Sequence, residues 1–339
     1  MTDKISLQTH ISGISFSNPF LNASGCLCTN GKELDSLALS SCGAFVSKSS
    51  SLQYRSGNVR PRLRYDIPHG SINSMGVPNL GFSFYQDWAK SRPNPNKPFI
   101  QSLMPLSTAD IPILLFNLEK NKTTTKNLVE LNLSCPNISG KKILAYDFDA
   151  FEKTLQELNQ FRLQNKVGLK LPPYYEEWQF DKLCNIILRN SNNVNFITTI
   201  NSIVNGLLVD IDSESTLIRP KDGLGGIGGS YCLPTALANV REIYKRVGDK
   251  IDIIGCGGIT SGREAFAHLL CGARAVAIGT QLWKEGLGCF NRINTELREI
   301  MKNKNYTRLE DFQGKLKVAK QNSREKFGSF DLDYCKKLI

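Results

Sequence analysis

Ile251-Asp252-Ile253-Ile254-Gly255-Cys256-Gly257-Gly258-Ile259-Thr260-Ser261-Gly262, followed after a helical stretch by Ala275-Val276-Ala277-Ile278-Gly279-Thr280, decides the fold. Two short apolar runs end in glycine, and each leads into a helical pattern. Runs this short and this continuously apolar suit strands buried on both faces. Between them, Ser261 and Glu264 have capping-box spacing, and Gly272 sits where the helix should stop. Glycines let backbone N–H groups approach an anion, and a helix N-terminus adds partial positive charge.

The same unit recurs upstream. Phe20–Gly25, Gly43–Ser49, Phe99–Leu103, Leu128–Ser134, Val167–Leu171 and Phe196–Asn201 are further short apolar runs. Asp149 with Glu152 reads as the cap of a helix carrying Phe151, Leu155, Leu158 and Phe161. Pro234 opens another helix, which ends near Gly248. Eight strand–helix units predict an α/β protein, a (β/α)8 TIM barrel. Alternation over residues 5–17 predicts a small N-terminal β-hairpin capping the barrel bottom. Insertions at about 50–80 and 202–231 follow strand C-termini, the catalytic face. The expected organisation is one domain over 1–339, with a basic C-terminal helix and tail at about 285–339.

Composition narrows the class. The 339 residues are 41% hydrophobic and 22% charged, as in a soluble globular protein. No run reaches the roughly 18–20 apolar residues of a membrane helix, and the N-terminus has no secretory or transit character, so a cytoplasmic location is expected. Ten cysteines occur without a CxxC pair, which predicts free, buried thiols and no metal site. The net charge of +11 is uneven. Lys48, Arg55, Arg60, Arg62 and Arg64 fall in one stretch without an acid. That pattern fits a nucleic-acid binder or an enzyme that gathers small anions.

Polar residues at strand ends converge in a barrel. These ends supply Asn22, Ser24, Gly25, Lys48, Ser49, Asn132, Ser134, Cys135, Asn137, Lys170, Asn201 and Ser202. They offer no carboxylate pair for glycoside hydrolysis and no His/acid set for a zinc hydrolase. His268 lies on a helix face and reads as structural or exposed. Cys256, Gly257, Gly258, Gly279 and Thr280 sit where barrels bind phosphate, and Gly225–Gly229 adds a close-approach loop. Lysines at two strand ends suit an electron-rich ring such as a flavin, although a strand-end lysine can also reach out to solvent. Cys135, flanked by amides and stopped by Pro136, is either a base or a small buried hydrophobe. Asn73-Ser74-Met75-Gly76-Val77-Pro78-Asn79 offers amide donors suited to a planar, imide-like anion.

Taken together, Asn22-Ala23-Ser24-Gly25, Val46-Ser47-Lys48-Ser49, Ser71–Asn79, Glu130–Asn137, Asn201-Ser202 with Asn205-Gly206, and Cys256-Gly257-Gly258 with Gly279-Thr280 resemble dihydroorotate dehydrogenase of the soluble class 1A type. The resemblance runs from about residue 5 to 315. It implies non-covalent FMN at the barrel mouth, oxidation of (S)-dihydroorotate to orotate in pyrimidine biosynthesis, and reduction of fumarate to succinate. By it, Cys135 removes the C5 proton, C6 gives hydride to flavin N5, and Ser202 lies near the proton path. Lys48 would sit beside both flavin and substrate. Asn73, Met75, Gly76, Val77, Asn132, Asn137, Asn201 and Ser202 would hold the substrate. Ala23, Ser24, Gly25, Lys48, Ser49, Asn73, Asn132, Lys170, Ile200, Asn201, Gly228, Gly229, Cys256, Gly257, Gly258, Gly279 and Thr280 would contact FMN. The loop from Pro136 to about Lys142 would be a lid, and the chain a homodimer without nucleic-acid or membrane partners.

The first strand starts near residue 20, which leaves no space for the membrane-docking helices of the quinone-reducing class. A class 1B enzyme would need an iron–sulfur/FAD partner. Ser24 stands where alanine is more usual, and Gln101-Ser102-Leu103-Met104-Pro105 departs from the expected third strand end. A tRNA dihydrouridine synthase would need a helical RNA-binding domain for which the chain leaves only about 50 residues. A flavin-binding scaffold without activity would not need Cys135, Lys48 and the amide set.

Overall fold

Eight short strands form one parallel sheet in the computed structural model, which describes residues 5–120, 127–134, 143–190 and 192–319. In chain order the first elements are β1 (Thr9–Ile11), β2 (Ile14–Phe16), β3 (Phe20–Asn22), α1 (Gly31–Leu39) and β4 (Phe45–Val46). Next come β5 (Leu63–Ile67), β6 (Gly70–Asn73), α2 (Phe82–Lys90), β7 (Phe99–Leu103), α3 (Asp110–Lys120) and β8 (Asn127–Asn132). Then follow α4 (Phe148–Asn159), β9 (Lys166–Leu171), α5 (Glu177–Arg189) and β10 (Val194–Thr199). The second insertion forms β11 (Ile203–Gly206), β12 (Val209–Asp210), β13 (Ser215–Thr216) and β14 (Gly225–Gly229). The chain continues through α6 (Leu233–Val247), β15 (Asp252–Cys256), α7 (Gly262–Cys271), β16 (Ala275–Ile278), α8 (Thr280–Glu285) and α9 (Gly288–Asn303).

The parallel sheet has the order β3-β16-β15-β10-β9-β8-β7-β4. Each of its strands falls within or overlaps one of the eight apolar runs. The seam between β3 and β4 closes the barrel through the Asn22 side chain and the Gly43 N–H, which donates to the Phe20 carbonyl at 2.9 Å. Helices pack around the sheet, and one cluster of buried aliphatic and aromatic side chains fills both the barrel and the layer beneath the helices. Ser261 and Glu264 form the capping box of α7, and Gly272 ends it with φ +123°. The hairpin β1–β2 sits at the strand N-termini, where Ser12 N–H meets Asp252 and the Thr9 hydroxyl meets the Arg274 carbonyl.

Three details differ from expectation. The N-cap of α4 is Asp147, whose carboxylate accepts from Ala150 N–H at 3.1 Å, while Asp149 lies in the first turn. Phe161 lies beyond the end of that helix. Gly225–Gly229, expected as a loop, is strand β14. Strands β5 and β6 pair with β14 and β11 in a four-stranded antiparallel sheet of order β11-β14-β6-β5. No described helix is long and apolar enough to cross a membrane.

Candidate active site

The strand C-termini and the antiparallel sheet together enclose a cleft of about 1090 Å³, its open mouth included. Parallel strands place their last side chains at one end of the barrel, so each polar strand end faces the others. From β3 and the turn after it come Ala23, Ser24 and Gly25, and after β4 come Lys48 and Ser49. Asn132 ends β8, Lys170 stands on β9, and Ile200, Asn201 and Ser202 follow β10. Cys256, Gly257 and Gly258 follow β15, with Gly279 and Thr280 after β16. The antiparallel sheet contributes Asn73, Gly228 and Gly229, and the turn after it Met75 and Val77.

A directional hydrogen-bond chain ties the floor together. The Ser102 hydroxyl donates to the buried Glu130 carboxylate at 3.1 Å. Its single proton is then spent, so the 2.9 Å contact between Ser49 and Ser102 takes its proton from Ser49. Ser49 in turn accepts from the Asn132 Nδ2 at 3.1 Å. The Asn132 carboxamide is thereby fixed with Oδ1 toward Ser134 and Asn201, whose groups donate to it at 3.1–3.3 Å. Asn201 Nδ2 also reaches the Ser134 hydroxyl at 2.7 Å, and its Oδ1 accepts the Ser202 N–H at 2.8 Å. Asn73 donates to Ser202 Oγ at 3.3 Å and to the Gly226 carbonyl at 3.1 Å. Three carboxamides from three distant segments are thus held in one continuous array.

Charge at the site comes from lysine. Burial alone would lower the Lys170 ammonium, but opposing charge, that of the Glu130 carboxylate foremost, outweighs it and holds the pKa above its ordinary value. Lys170 therefore stays cationic at neutral pH. Lys48 lies close over Gly25, where an added Cβ would stand 3.2 Å from its Nζ. Burial pushes the Cys26 and Cys256 thiols up, and Cys232 up to about 12, so all three stay protonated at neutral pH. The described lining residues include no histidine and no carboxylate.

Glycines make the far end of the cleft. A Cβ on Gly228 would crowd the Ser71 and Thr280 hydroxyls, which themselves lie 2.8 Å apart. Gly257 and Gly258 take φ values of +123° and +78°, which side chains other than glycine rarely adopt. The N-terminus of α7, expected to lend its N–H groups to an anion, is already occupied. Gly262 N–H donates to Glu296 and Arg263 N–H to Ser261. Any anion here meets the glycine backbone and Thr280 rather than that helix end.

A family model described as dihydroorotate dehydrogenase matches residues 6–301. The chain belongs to the dihydroorotate dehydrogenase family. Dihydroorotate dehydrogenase A (fumarate) of Lactococcus lactis subsp. cremoris is 46% identical over 314 residues, covering 92% of this chain and 99% of that protein. Dihydroorotate dehydrogenase (fumarate) of Kluyveromyces lactis is 45% identical over 318 residues, covering 93% and 99%. The Saccharomyces cerevisiae enzyme of that name is 45% identical over 314 residues, covering 92% and 98%. Among solved structures, the dihydroorotate dehydrogenase of Eimeria tenella in complex with ferulenol shares the fold. Its TM-score is 0.72 at 18% identity, covering 91% of this chain and 88% of that one.

Of the described residues expected to hold substrate or FMN in this family member, Gly76 stands apart from the cleft lining, as do the strand-end residues Asn22 and Ser134. The Gly76 carbonyl accepts from Arg55, and the glycine's φ of +70° turns the loop so that Met75 and Val77 face inward. Cys135, Asn137 and the rest of the Pro136–Lys142 loop lie outside the described residues. Sequence reading missed Cys26, Ser71, Ile227, Cys232, Ile259, Ala277, Gln281 and Trp283, all of which line the cleft. Ser71 and Ile227 belong to the antiparallel sheet, whose pairing no local pattern announces. Trp283 was detectable only as an aromatic just past the phosphate-type motif, and it stacks on Tyr65 at 5.8 Å.

Proposed function

We propose that this chain oxidises (S)-dihydroorotate to orotate with non-covalent FMN at the barrel mouth and fumarate as electron acceptor. One observation carries the reading: the same cleft joins a glycine cradle, the buried Lys170 ammonium and the carboxamide array of Asn73, Asn132 and Asn201. The cradle that a Cβ would fill fits the FMN phosphate, and a buried cation fits the electron-rich edge of its ring. Bound there, FMN would supply a hydride acceptor at N5 and pass the electrons on to fumarate.

The chain's own residues do the rest. Ala23, Ser24, Gly25, Ser49, Ile200, Gly228, Gly229, Cys256, Gly257, Gly258, Gly279 and Thr280 hold the cofactor together with Lys170, and Lys48 serves both ligands. Asn73, Asn132, Asn137 and Asn201, with Met75, Val77 and Ser202, hold and orient the pyrimidine and its carboxylate, and Gly76 turns the loop that carries Met75 and Val77. Cys135 takes the C5 proton, with Ser202 beside its path. The described thiols are held protonated and no described lining group is a histidine or carboxylate, which leaves Cys135 as the base this reading needs. Fumarate, dihydroorotate and the phosphate are all anions, and the Lys48–Arg64 stretch steers them in.

The lining runs from Ala23 to Trp283, which supports a single domain. Leu207, Val209 and Ile211 project apolar side chains from the second insertion, which supports a homodimer. The protein works in the cytoplasm, without a nucleic-acid partner. The decisive experiment is anaerobic visible spectroscopy of the purified chain. Bleaching by dihydroorotate and recovery with fumarate are expected. Bleaching without recovery would replace fumarate by another acceptor or a partner chain, and a yellow protein that never bleaches would remove the activity.

A further inference from the structure

His268 is fully buried behind the glycine loop that follows β15. Its Nε2 stands 2.9 Å from the Gly257 carbonyl oxygen. A carbonyl only accepts, so Nε2 carries the proton and donates. Burial lowers the imidazole to about 4, so at neutral pH the ring is neutral and Nδ1 is bare. Nδ1 has no hydrogen-bond partner among the described residues. It abuts the backbone of β15 so closely that a Cβ on Gly255 would stand 2.5 Å away. The ring is therefore held in one orientation by α7 on one side and Gly255 on the other. Only one of its two nitrogens is satisfied, and that bond goes to the loop.

The Gly257–Gly258 peptide is trans and planar, so the Gly258 N–H points opposite to the Gly257 carbonyl. Anchoring the carbonyl toward the helix layer turns that N–H the other way. Gly257 and Gly258 both line the cleft, while Gly255 and His268 do not. On the outer side the loop is braced by α6, since a Cβ on Gly258 would overlap the Leu233 backbone. Two left-handed glycines in succession have no side chain of their own to set the peptide plane. The capped end of α7 does not set it either.

We propose that His268 is a positioning residue that aims the Gly258 N–H at the cofactor phosphate by holding the Gly257 carbonyl. The inference rests on the reading of FMN with its phosphate at this loop. His268 touches neither cofactor nor substrate.

The test uses apoprotein stripped of flavin and titrated separately with FMN and with riboflavin, which lacks the phosphate, following flavin fluorescence. Wild type is expected to bind FMN more tightly than riboflavin. His268→Phe keeps a ring without the donor. It should weaken FMN binding by about tenfold, the size of one well-placed hydrogen bond, and leave riboflavin within about twofold. His268→Gln, which keeps a donor at the same reach, should recover most of the FMN preference. Gly255→Ala, outside the cleft, displaces the ring and should reproduce the selective loss even if His268→Phe does not fold. An equal loss for both flavins would make His268 a packing residue, and an unchanged FMN preference would likewise overturn the proposal. Wild type that binds riboflavin as tightly as FMN would instead overturn the placement of the phosphate.

Discussion

The Asn22 carboxamide pairs with the backbone of Val46 as a neighbouring strand would, accepting its N–H at 2.8 Å and donating to its carbonyl at 2.9 Å. Strands β3 and β4 are too short to form a ladder at this point, and one side chain supplies the missing rung. Asn22 is fully buried and does not line the cleft. A strand-end amide that reads as a candidate ligand in the sequence is the closure of the barrel.

Asn22→Leu should therefore destabilise the fold. It strands a buried N–H and a buried carbonyl, each costing about 1–3 kcal/mol, for a total of about 2–6 kcal/mol. Urea denaturation of holoprotein checks this, and an unchanged midpoint would mean that the seam closes without Asn22.

Cys135→Ala should slow flavin reduction by dihydroorotate by about 10²–10⁴, the usual contribution of a general base, and leave the protein yellow. Stopped-flow absorbance gives the rate. In the wild type the rate should climb as pH rises toward the ordinary thiol value of about 8.5. Wild-type reduction by the variant would remove Cys135 from the reaction.

Stability should fall on acidification because of His268. Its folded pKa, about 4, lies below the unfolded value of about 6.5, so the unfolded chain takes up the proton first. The contribution is complete above pH 6.5 and is lost as pH drops toward 4, by about 3 kcal/mol over the whole window. Denaturation midpoints of wild type and His268→Phe between pH 7 and pH 4.5 should converge as pH falls. Parallel curves would show that His268 does not titrate in this way.

Substrate capture should weaken with salt. Raising ionic strength from about 0.01 M to 0.15 M shortens the screening length from about 30 Å to 8 Å, and kcat/KM should fall several-fold. The structure narrows which cations matter. Arg62 braces the Ser56 and Asn58 carbonyls and Arg64 pairs with Asp66, whereas Arg60 is exposed. Arg60→Gln should flatten part of the salt dependence, and an identical slope would assign steering elsewhere.

The barrel was legible because buried parallel strands are continuous apolar runs ending in small polar residues. Ala275–Ile278, followed by Gly279 and Thr280, shows this most plainly. The antiparallel sheet was not legible. One of its two inner strands is Gly225-Gly226-Ile227-Gly228-Gly229, with almost no side chains to alternate, and it is specified by pairing with Gly70–Asn73 far away in sequence. His268 was read as a bland helix residue because its partner is a carbonyl, which leaves no mark in a sequence. Glu130 escaped notice as the origin of the hydrogen-bond chain because it faces the barrel interior two residues before the strand end.

The pairing of Asn73 with Gly226 has a consequence for how the molecule can be divided. One wall of the cleft is stitched from two segments more than 150 residues apart, and the rest of the described lining draws on seven of the eight barrel strands or the turns after them. No contiguous fragment carries a usable share of the site. A nick within an exposed loop can leave the pieces associated and competent, but excision of either half abolishes the cleft. This chemistry cannot be inherited or grafted as a module; it passes on only with the entire chain.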